Sequence, residues 1–417
     1  MKNSKFQKYF TLFVICLGAG LLYKVPYLRE AFYTPLKEAL NATHEQVGAL
    51  SSIYGTVALF SYIPGGILAD KISTRALMVF SFISTGLLTL WFAMMPPYPV
   101  VKLIYGLMGV TTILTFWSAF VKTIRLLGGE SEQGKMFGLS EGIRSVGGTI
   151  GSFIVLGIIA NAATQLAGLQ VTLLFYGSVY IVVGILCIFF IPADKKEKDE
   201  KKSIFSVKEI KEAIKLPGLW LVSLLIFAWY CIYSAQSYTT PYLTEIYGLP
   251  LSVVGSLSIM RSYGMGIFAG PLAGVIGDKI GSPTRVLIWG SIAAIILTVG
   301  FIVFPVKQSL VMIPMILMIV LSFIVYSARG TYFATMADAG IPIALTGIAS
   351  GLISIIGYSP DMFLYTMAGK WLDNNSGVAG YRYIFIFMIV CAIVALIASL
   401  AILRLSKKNK NTKEIAE

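Results

Sequence analysis

Arg261 stands ten residues into an apolar run that begins near Leu251, roughly 15 Å along a helix at 1.5 Å per residue. A charge near the centre of a membrane helix costs roughly 2.5–3.5 kcal/mol, which makes an ionisable group there a functional candidate. The guanidinium would hold an anion or act in gating; the plainer reading is a structural ion pair. Lys24 follows Tyr9 by fifteen residues, roughly 22 Å along the first run, beside Pro26. It either binds an anion or snorkels to the outer surface. Arg144 lies roughly 14 Å into the fifth run. Glu141 precedes it by three residues, which suits a helical ion pair and leaves Arg144 able to shape a substrate site. Asp361, next to Pro360, is placed to carry a proton or to pair with a cation such as Lys24 or Arg261. Glu141 is the second candidate proton carrier.

These charges are embedded in a chain of 417 residues that is 57% hydrophobic and 13% charged, with a mean hydropathy of +0.80. That balance belongs to an integral membrane protein. Apolar runs long enough to cross a hydrocarbon core of roughly 30 Å recur along it, and they do not alternate as barrel strands would. The fold class is therefore an all-α membrane protein, since helices satisfy their own backbone in lipid. About twelve spans are expected by hydropathy. They start near Tyr9, Gln46, Ala76, Val101, Lys135 and Leu169, and then near Gly218, Leu251, Arg285, Leu310, Ile343 and Tyr381.

The net charge of +13 does not point to nucleic acid. Lys and Arg gather at Lys2–Lys8, Lys71–Arg75, Lys122–Lys135, Lys195–Lys215, Lys279–Arg285 and Arg404–Lys413. These are alternate loops and both tails, as the positive-inside rule places them. Both termini are accordingly expected in the cytoplasm. Lys122, Arg125 and Arg329 fall near the cytoplasmic ends of runs and read as interfacial anchors or gate residues. The four cysteines lie inside apolar runs without CxxC spacing and read as small core or lipid-facing residues, not as disulfides or metal ligands. The sole histidine, His44, follows Thr43. With Gln46 it forms a capping-box pattern, so it reads as helix-start chemistry.

The chain repeats itself. Tyr23–Glu30, YKVPYLRE, returns as Tyr238–Glu245, YTTPYLTE, with Lys24 and Arg29 replaced by Thr239 and Thr244. Val47, Gly48, Leu50 and Ser51 return as Val254, Gly255, Leu257 and Ser258; Pro64 returns as Pro271; Trp117 returns as Tyr326. Gly138, Gly142, Ser145 and Gly148 return as Gly347, Gly351, Ser354 and Gly357. Matches in one order at nearly constant offset mark an internal duplication, a known plan for transporters. The polar segment 192–217 divides the copies and carries an amphipathic helix around Ser206–Lys215. The expected organisation is a six-helix bundle over 1–191, a cytoplasmic linker over 192–217, a second bundle over 218–404 and a tail over 405–417.

Gly66–Arg75, GILADKISTR, and Gly274–Gly281, GVIGDKIG, occupy matching turns between spans 2 and 3 and between spans 8 and 9. Both resemble the GxxxDRxGRR loop of the major facilitator superfamily, with Lys for the first Arg. Gly66 and Gly274 would allow close helix approach. Asp70 and Asp278 would pair with Arg75 and Arg285, or accept from helix N-termini, and so lock an inner gate. The resemblance implies a secondary transporter of two pseudo-symmetric six-helix bundles that rock about a central site. It also implies that helices 1, 4, 7 and 10 line that site, which makes Tyr23, Trp117, Tyr233, Gln236 and Tyr326 candidate lining residues beside Arg261, Lys24 and Arg144.

Cations outnumber anions at mid-depth, and unpaired positive charge in a low-dielectric site favours a negative guest. The expected substrate is a small organic anion, a carboxylate or a phosphorylated metabolite, moved by proton symport or anion exchange. The alternative is proton-coupled export of hydrophobic or cationic compounds. An enzyme is not expected, because no nucleophile–base pair or cluster of metal ligands is legible. Nor is a cofactor. The expected partners are the anionic substrate, the bilayer, and a proton or counter-anion. The expected form is a monomer in the cell membrane.

Overall fold

A computed structural model of the chain describes residues 5–128, 133–191, 207–342 and 345–416. It divides into two compact units, Met1–Lys201 and Lys202–Glu417. Among the described residues, eleven helices are long and apolar enough to cross a membrane, and Phe6–Leu22 is a shorter apolar helix beside them. The chain is a multi-pass all-α membrane protein.

In the first unit the helices are α1 (Lys5–Leu22), α2 (Arg29–Ala39), α3 (His44–Lys71), α4 (Thr74–Ala93), α5 (Tyr98–Gly109), α6 (Ser118–Gly128), α7 (Gln133–Ala160) and α8 (Gln165–Phe190). A π-helical stretch, Val110–Trp117, joins α5 to α6 into one span. Between α1 and α2 the chain runs through irregular turns over residues 23–28, held by bonds such as Lys24 N to Leu21 O at 2.8 Å. Pro26 supplies no N–H there, so the helical ladder cannot continue unbroken. The capping box at the start of α3 is formed: Thr43 accepts from the Gln46 backbone, and Gln46 accepts from the Thr43 backbone.

The second unit holds α9 (Val207–Ile214), α10 (Pro217–Ala235), α11 (Thr239–Glu245), α12 (Leu251–Ile259), α13 (Met265–Ile280), α14 (Pro283–Val303), α15 (Met312–Thr331), α16 (Thr335–Asp338), α17 (Thr346–Gly357), α18 (Leu364–Asn374) and α19 (Val378–Ala416). Its spans are interrupted by 3₁₀ turns at Gln236–Tyr238, Tyr332–Ala334 and Ser359–Met362, and by a π turn at Met260–Gly264. Both copies of the repeated opening motif therefore sit at a helix break. The amphipathic helix expected around Ser206–Lys215 is α9, and the start expected near Leu251 is the first residue of α12.

Helix approach in each unit depends on glycine. Along the α1–α7 seam, a Cβ on Gly147 would stand 2.7 Å from Leu17, and one on Gly20 would meet the Arg144 carbonyl oxygen. A Cβ on Gly65 would stand 2.7 Å from the Leu114 carbonyl oxygen. In the second unit a Cβ on Gly330 would stand 2.6 Å from the Gly270 Cα. Small residues let helices pack backbone to backbone in lipid. The motif glycines Gly66 and Gly274, inside α3 and α13, do not serve this purpose: a Cβ on either meets nothing within 4 Å. The approach falls instead at Gly65 and Gly270, each next to a helix-interior proline, Pro64 or Pro271.

Candidate substrate site

In the first unit the candidate residues cluster where the α1–α2 break meets α7 and the π stretch. Lys24 is 5% exposed. Its ammonium is turned into the α1–α7 seam: a Cβ on Gly148 would stand 2.8 Å from Nζ and 3.0 Å from the Gly20 carbonyl oxygen. Lys24 is thus seated against α7 rather than extended to a surface. Arg144 lies one turn before Gly148 on α7. Its Nη1 bonds Glu141 Oε2 at 2.9 Å, the expected helical pair. The guanidinium carbon also stands 5.4 Å from the Trp117 ring centroid and 5.6 Å from that of Phe120. Tyr23 packs edge-on against Phe116 and Trp117 and donates to the Thr112 carbonyl at 3.2 Å. Thr112 also bonds Tyr54, the repeat counterpart of Arg261, at 2.9 Å. The π stretch thereby holds Tyr23, Tyr54 and Trp117 as one group beside two cations.

The second unit carries a separate cluster. Arg261 is fully buried inside the π turn Met260–Gly264. Next to it in sequence, the Ser262 carbonyl accepts a 2.6 Å bond from Tyr326. Tyr326 meets Tyr233 edge to face at 5.8 Å, and Tyr233 meets Tyr230 at 5.4 Å. Tyr230 donates to Asp361 Oδ2 at 2.7 Å, and Ser234 donates to Oδ1 at 3.3 Å. The break Ser359–Met362 turns this carboxylate toward α10, where it is 7% exposed. Gln236 is 1% exposed, and neither end of its amide has a hydrogen-bond partner among the described residues.

Arg329, expected as an interfacial anchor or gate residue, lies against this cluster. Its guanidinium carbon lies 3.9 Å above the Tyr233 ring and 5.7 Å from the Tyr326 ring. Hydropathy ends the apolar run close to Arg329. The span actually continues through the turn Tyr332–Ala334 to Asp338, nine residues farther on. The sequence signal was Tyr326 three residues before it, on the same helical face.

The loop expected to form a gate is held differently in each unit. The side chains of Asp70, Asp278 and Arg125 lie outside those described. Arg75 sits in the first turn of α4, half-buried, and Arg285 is exposed and bonds the Ile280 carbonyl at 3.4 Å. In the first unit Lys122 donates to the Ala69 carbonyl at 2.9 Å, near the end of α3. In the second unit Asp338 Oδ2 accepts from the Ser282 hydroxyl at 2.8 Å, the Thr284 hydroxyl at 2.6 Å and the Thr284 backbone N–H at 3.2 Å, at the start of α14. Each charge complements the helix end it meets. Asp338 had no signal in the loop sequence, because it reaches there from the end of another span.

A further polar group joins α2 to the start of α3. Arg29 is 2% exposed, 3.7 Å from Glu30 and 5.3 Å from the Tyr33 ring centroid. Tyr33 and Lys37 bond the two ring nitrogens of His44 at 2.8 Å each. His44 thus follows the cap of α3 and also ties α2 to it.

The sequence profile of the Major Facilitator Superfamily matches residues 9–365. The chain is 32% identical over 388 residues to the inner membrane protein YqcE of Escherichia coli (strain K12), covering 92% of this chain and 91% of that protein. It is 25% identical over 394 residues to sugar phosphate exchanger 3 of Mus musculus, covering 81% of this chain and 77% of that one. A bacterial homologue of the human lysosomal transporter Spinster, solved in an inward-facing and unoccupied conformation, shares the fold. Its TM-score is 0.73 at 13% identity, over 97% of this chain and 98% of the other.

Proposed function

The chain belongs to the Major Facilitator Superfamily and is a transporter, and we propose that its cargo is a small organic anion, a carboxylate or a phosphorylated metabolite. The observation that carries this reading is the charge balance inside the spans. Among the described residues of the two clusters, Lys24, Arg144, Arg261 and Arg329 stand against Glu141 and Asp361. Glu141 is engaged by Arg144, and Asp361 accepts from two hydroxyls. An excess of cations over anions in a low-dielectric region is costly, and an anionic guest would offset it. The name of the murine relative, a sugar phosphate exchanger, is consistent with a phosphorylated cargo.

Arg261, Lys24 and Arg144 are the proposed charged ligands, with Tyr23, Trp117, Tyr233, Gln236 and Tyr326 lining the path. Asp361 is the proposed proton carrier, since a hydrogen-bonded, buried carboxylate can exchange a proton without leaving its place. Glu141, exposed and paired, is the weaker candidate. Movement would follow alternating access, as symport with a proton or exchange of anions. The protein is proposed to work in the inner membrane with both termini in the cytoplasm, and Asp70 with Arg75 and Asp278 with Arg285 are proposed as gate pairs.

The test is counterflow in liposomes reconstituted with the full chain. Labelled glycerol 3-phosphate and succinate are the anionic probes, and tetraphenylphosphonium is the cationic contrast. Anion counterflow that falls at least tenfold in Arg261→Ala is the expected result. Cation movement without anion movement overturns the reading.

A further inference from the structure

We propose that Arg329 is a binding residue for the oxyanion of the cargo, presenting the edge of its guanidinium as a two-pronged donor from a corner built by Tyr233 and Tyr326. The inference rests on the anion reading and deepens it by naming a ligand in the second unit.

The geometry of the corner carries it. The two tyrosine rings meet at 89° with centroids 5.8 Å apart, so they form a floor and a wall. At 3.9 Å from the Tyr233 centroid, the guanidinium lies on the floor at stacking distance. The wall is fixed in turn, because the Tyr326 hydroxyl is anchored on the Ser262 carbonyl. Stacking occupies a face of the guanidinium and leaves its in-plane N–H groups unused. Arginine has five such donors in a rigid fork that matches two oxygens of a carboxylate or phosphate. Lysine has no such fork.

The comparison with Arg144 separates an engaged guanidinium from an available one. Both arginines lie beside repeat-related aromatics, Arg144 at Trp117 and Arg329 at Tyr326. Arg144 spends Nη1 on Glu141. Among the described residues Arg329 makes no ion pair and no side-chain hydrogen bond, and it is half-buried rather than sealed. A desolvated cation held only by ring faces retains most of its demand for an anion. A second observation points the same way. Gln236 lies three residues beyond Tyr233 and keeps both amide atoms without a hydrogen-bond partner while 1% exposed. Buried polar atoms are normally paired, and orphans call for a polar occupant. An oxyanion on Arg329 with a hydroxylated body reaching Gln236 would satisfy both.

The test uses the purified full chain and the arginine reagent phenylglyoxal, read by peptide mass mapping. Inorganic phosphate and acetate are the protecting probes, with chloride at equal ionic strength as the control. Adduct formation at Arg329 should fall at least fivefold with phosphate or acetate and not with chloride; the better protector identifies the oxyanion class. In counterflow, Arg329→Gln and Arg329→Lys should each raise the half-saturating anion concentration tenfold or more, the lysine failing because it lacks the fork. Unchanged half-saturation in both variants, or no protection by either anion in a preparation that exchanges anions, overturns the assignment of Arg329 and leaves the anion carrier standing. Absence of anion counterflow in the unaltered chain overturns both. The labelling arm needs no variant, so misfolding of a substituted protein does not remove the test.

Discussion

The ammonium of Lys24 rests on Gly148: a side-chain carbon added at Gly148 would stand 2.8 Å from Nζ and 2.9 Å from Cε. The glycine is what lets a charged side chain lie between α1 and α7. Gly148→Ala should therefore destabilise the protein by about 1–3 kcal/mol through overpacking and displace Lys24 from the seam. Thermal unfolding in detergent measures the cost. In a Lys24→Ala background the same substitution should cost less, since the two closest contacts, with Lys24 Nζ and Cε, are removed. Equal costs in the two backgrounds would show that the lysine is not what the glycine accommodates.

The Arg144–Glu141 pair predicts a small effect. The Glu141 side chain is 69% exposed, and solvent screens such a pair to about 0–1 kcal/mol. Glu141→Gln should leave unfolding nearly unchanged and preserve proton-gradient-driven uptake. Loss of coupling in this variant would transfer the proton role from Asp361 to Glu141.

Asp361 predicts the opposite. Asp361→Asn should abolish uptake driven by a pH gradient while anion counterflow persists, because exchange needs no net proton movement. Tyr230→Phe removes the 2.7 Å bond to Oδ2 and leaves Ser234 on Oδ1. Its coupling defect should lie between that of the unaltered chain and that of Asp361→Asn. Comparing gradient-driven uptake with counterflow in the same vesicles separates these outcomes.

Asp338 predicts a stability effect remote from the substrate residues. Asp338→Ala strands two hydroxyls and the Thr284 backbone N–H. Unmade bonds of this kind cost about 1–3 kcal/mol. Asp338→Asn, which keeps an acceptor oxygen, should lose less. Lys122→Met removes a cation from the carbonyl end of α3, a helix-end interaction of about 0.3–1 kcal/mol. The expected order of melting temperatures is Lys122→Met above Asp338→Ala; the reverse order would show that Asp338 is not the stronger tie.

The spans were legible because lipid imposes them, and the repeat because residues recur in one order at nearly constant offset. Twenty-residue apolar runs leave a plain trace, and so does the reuse of Trp117 as Tyr326 or Pro64 as Pro271. The pairing of Arg144 with Glu141 was legible because both lie on one helix, and so was the capping of α3 by Thr43. Contacts that depend on where a helix breaks were not legible. Arg329 looked terminal because hydropathy does not register the turn at Tyr332–Ala334 that carries its span onward. Asp338 and Lys122 reach their loops from other spans, and a one-dimensional pattern holds no record of that. Gly66 and Gly274 looked like packing glycines, yet Gly270, one turn before Gly274, and Gly65, immediately before Gly66, face the partner helices. A shift of one residue turns a helical position by about 100°, more than motif matching resolves.

The contact of Gly330 with Gly270 has a mechanical consequence for the second unit. With the two main chains touching, a side chain at Gly330 would have to force α15 away from α13. The spot is a close-contact rivet, and Arg329 is the residue immediately before it. A few residues upstream on the partner span lies the π turn Met260–Gly264, a widened coil that tolerates rewinding more readily than a regular one. A stiff rivet beside a compliant coil confines bending to the coil, so the tyrosine corner can be carried through a change of shape while its arginine keeps its seat.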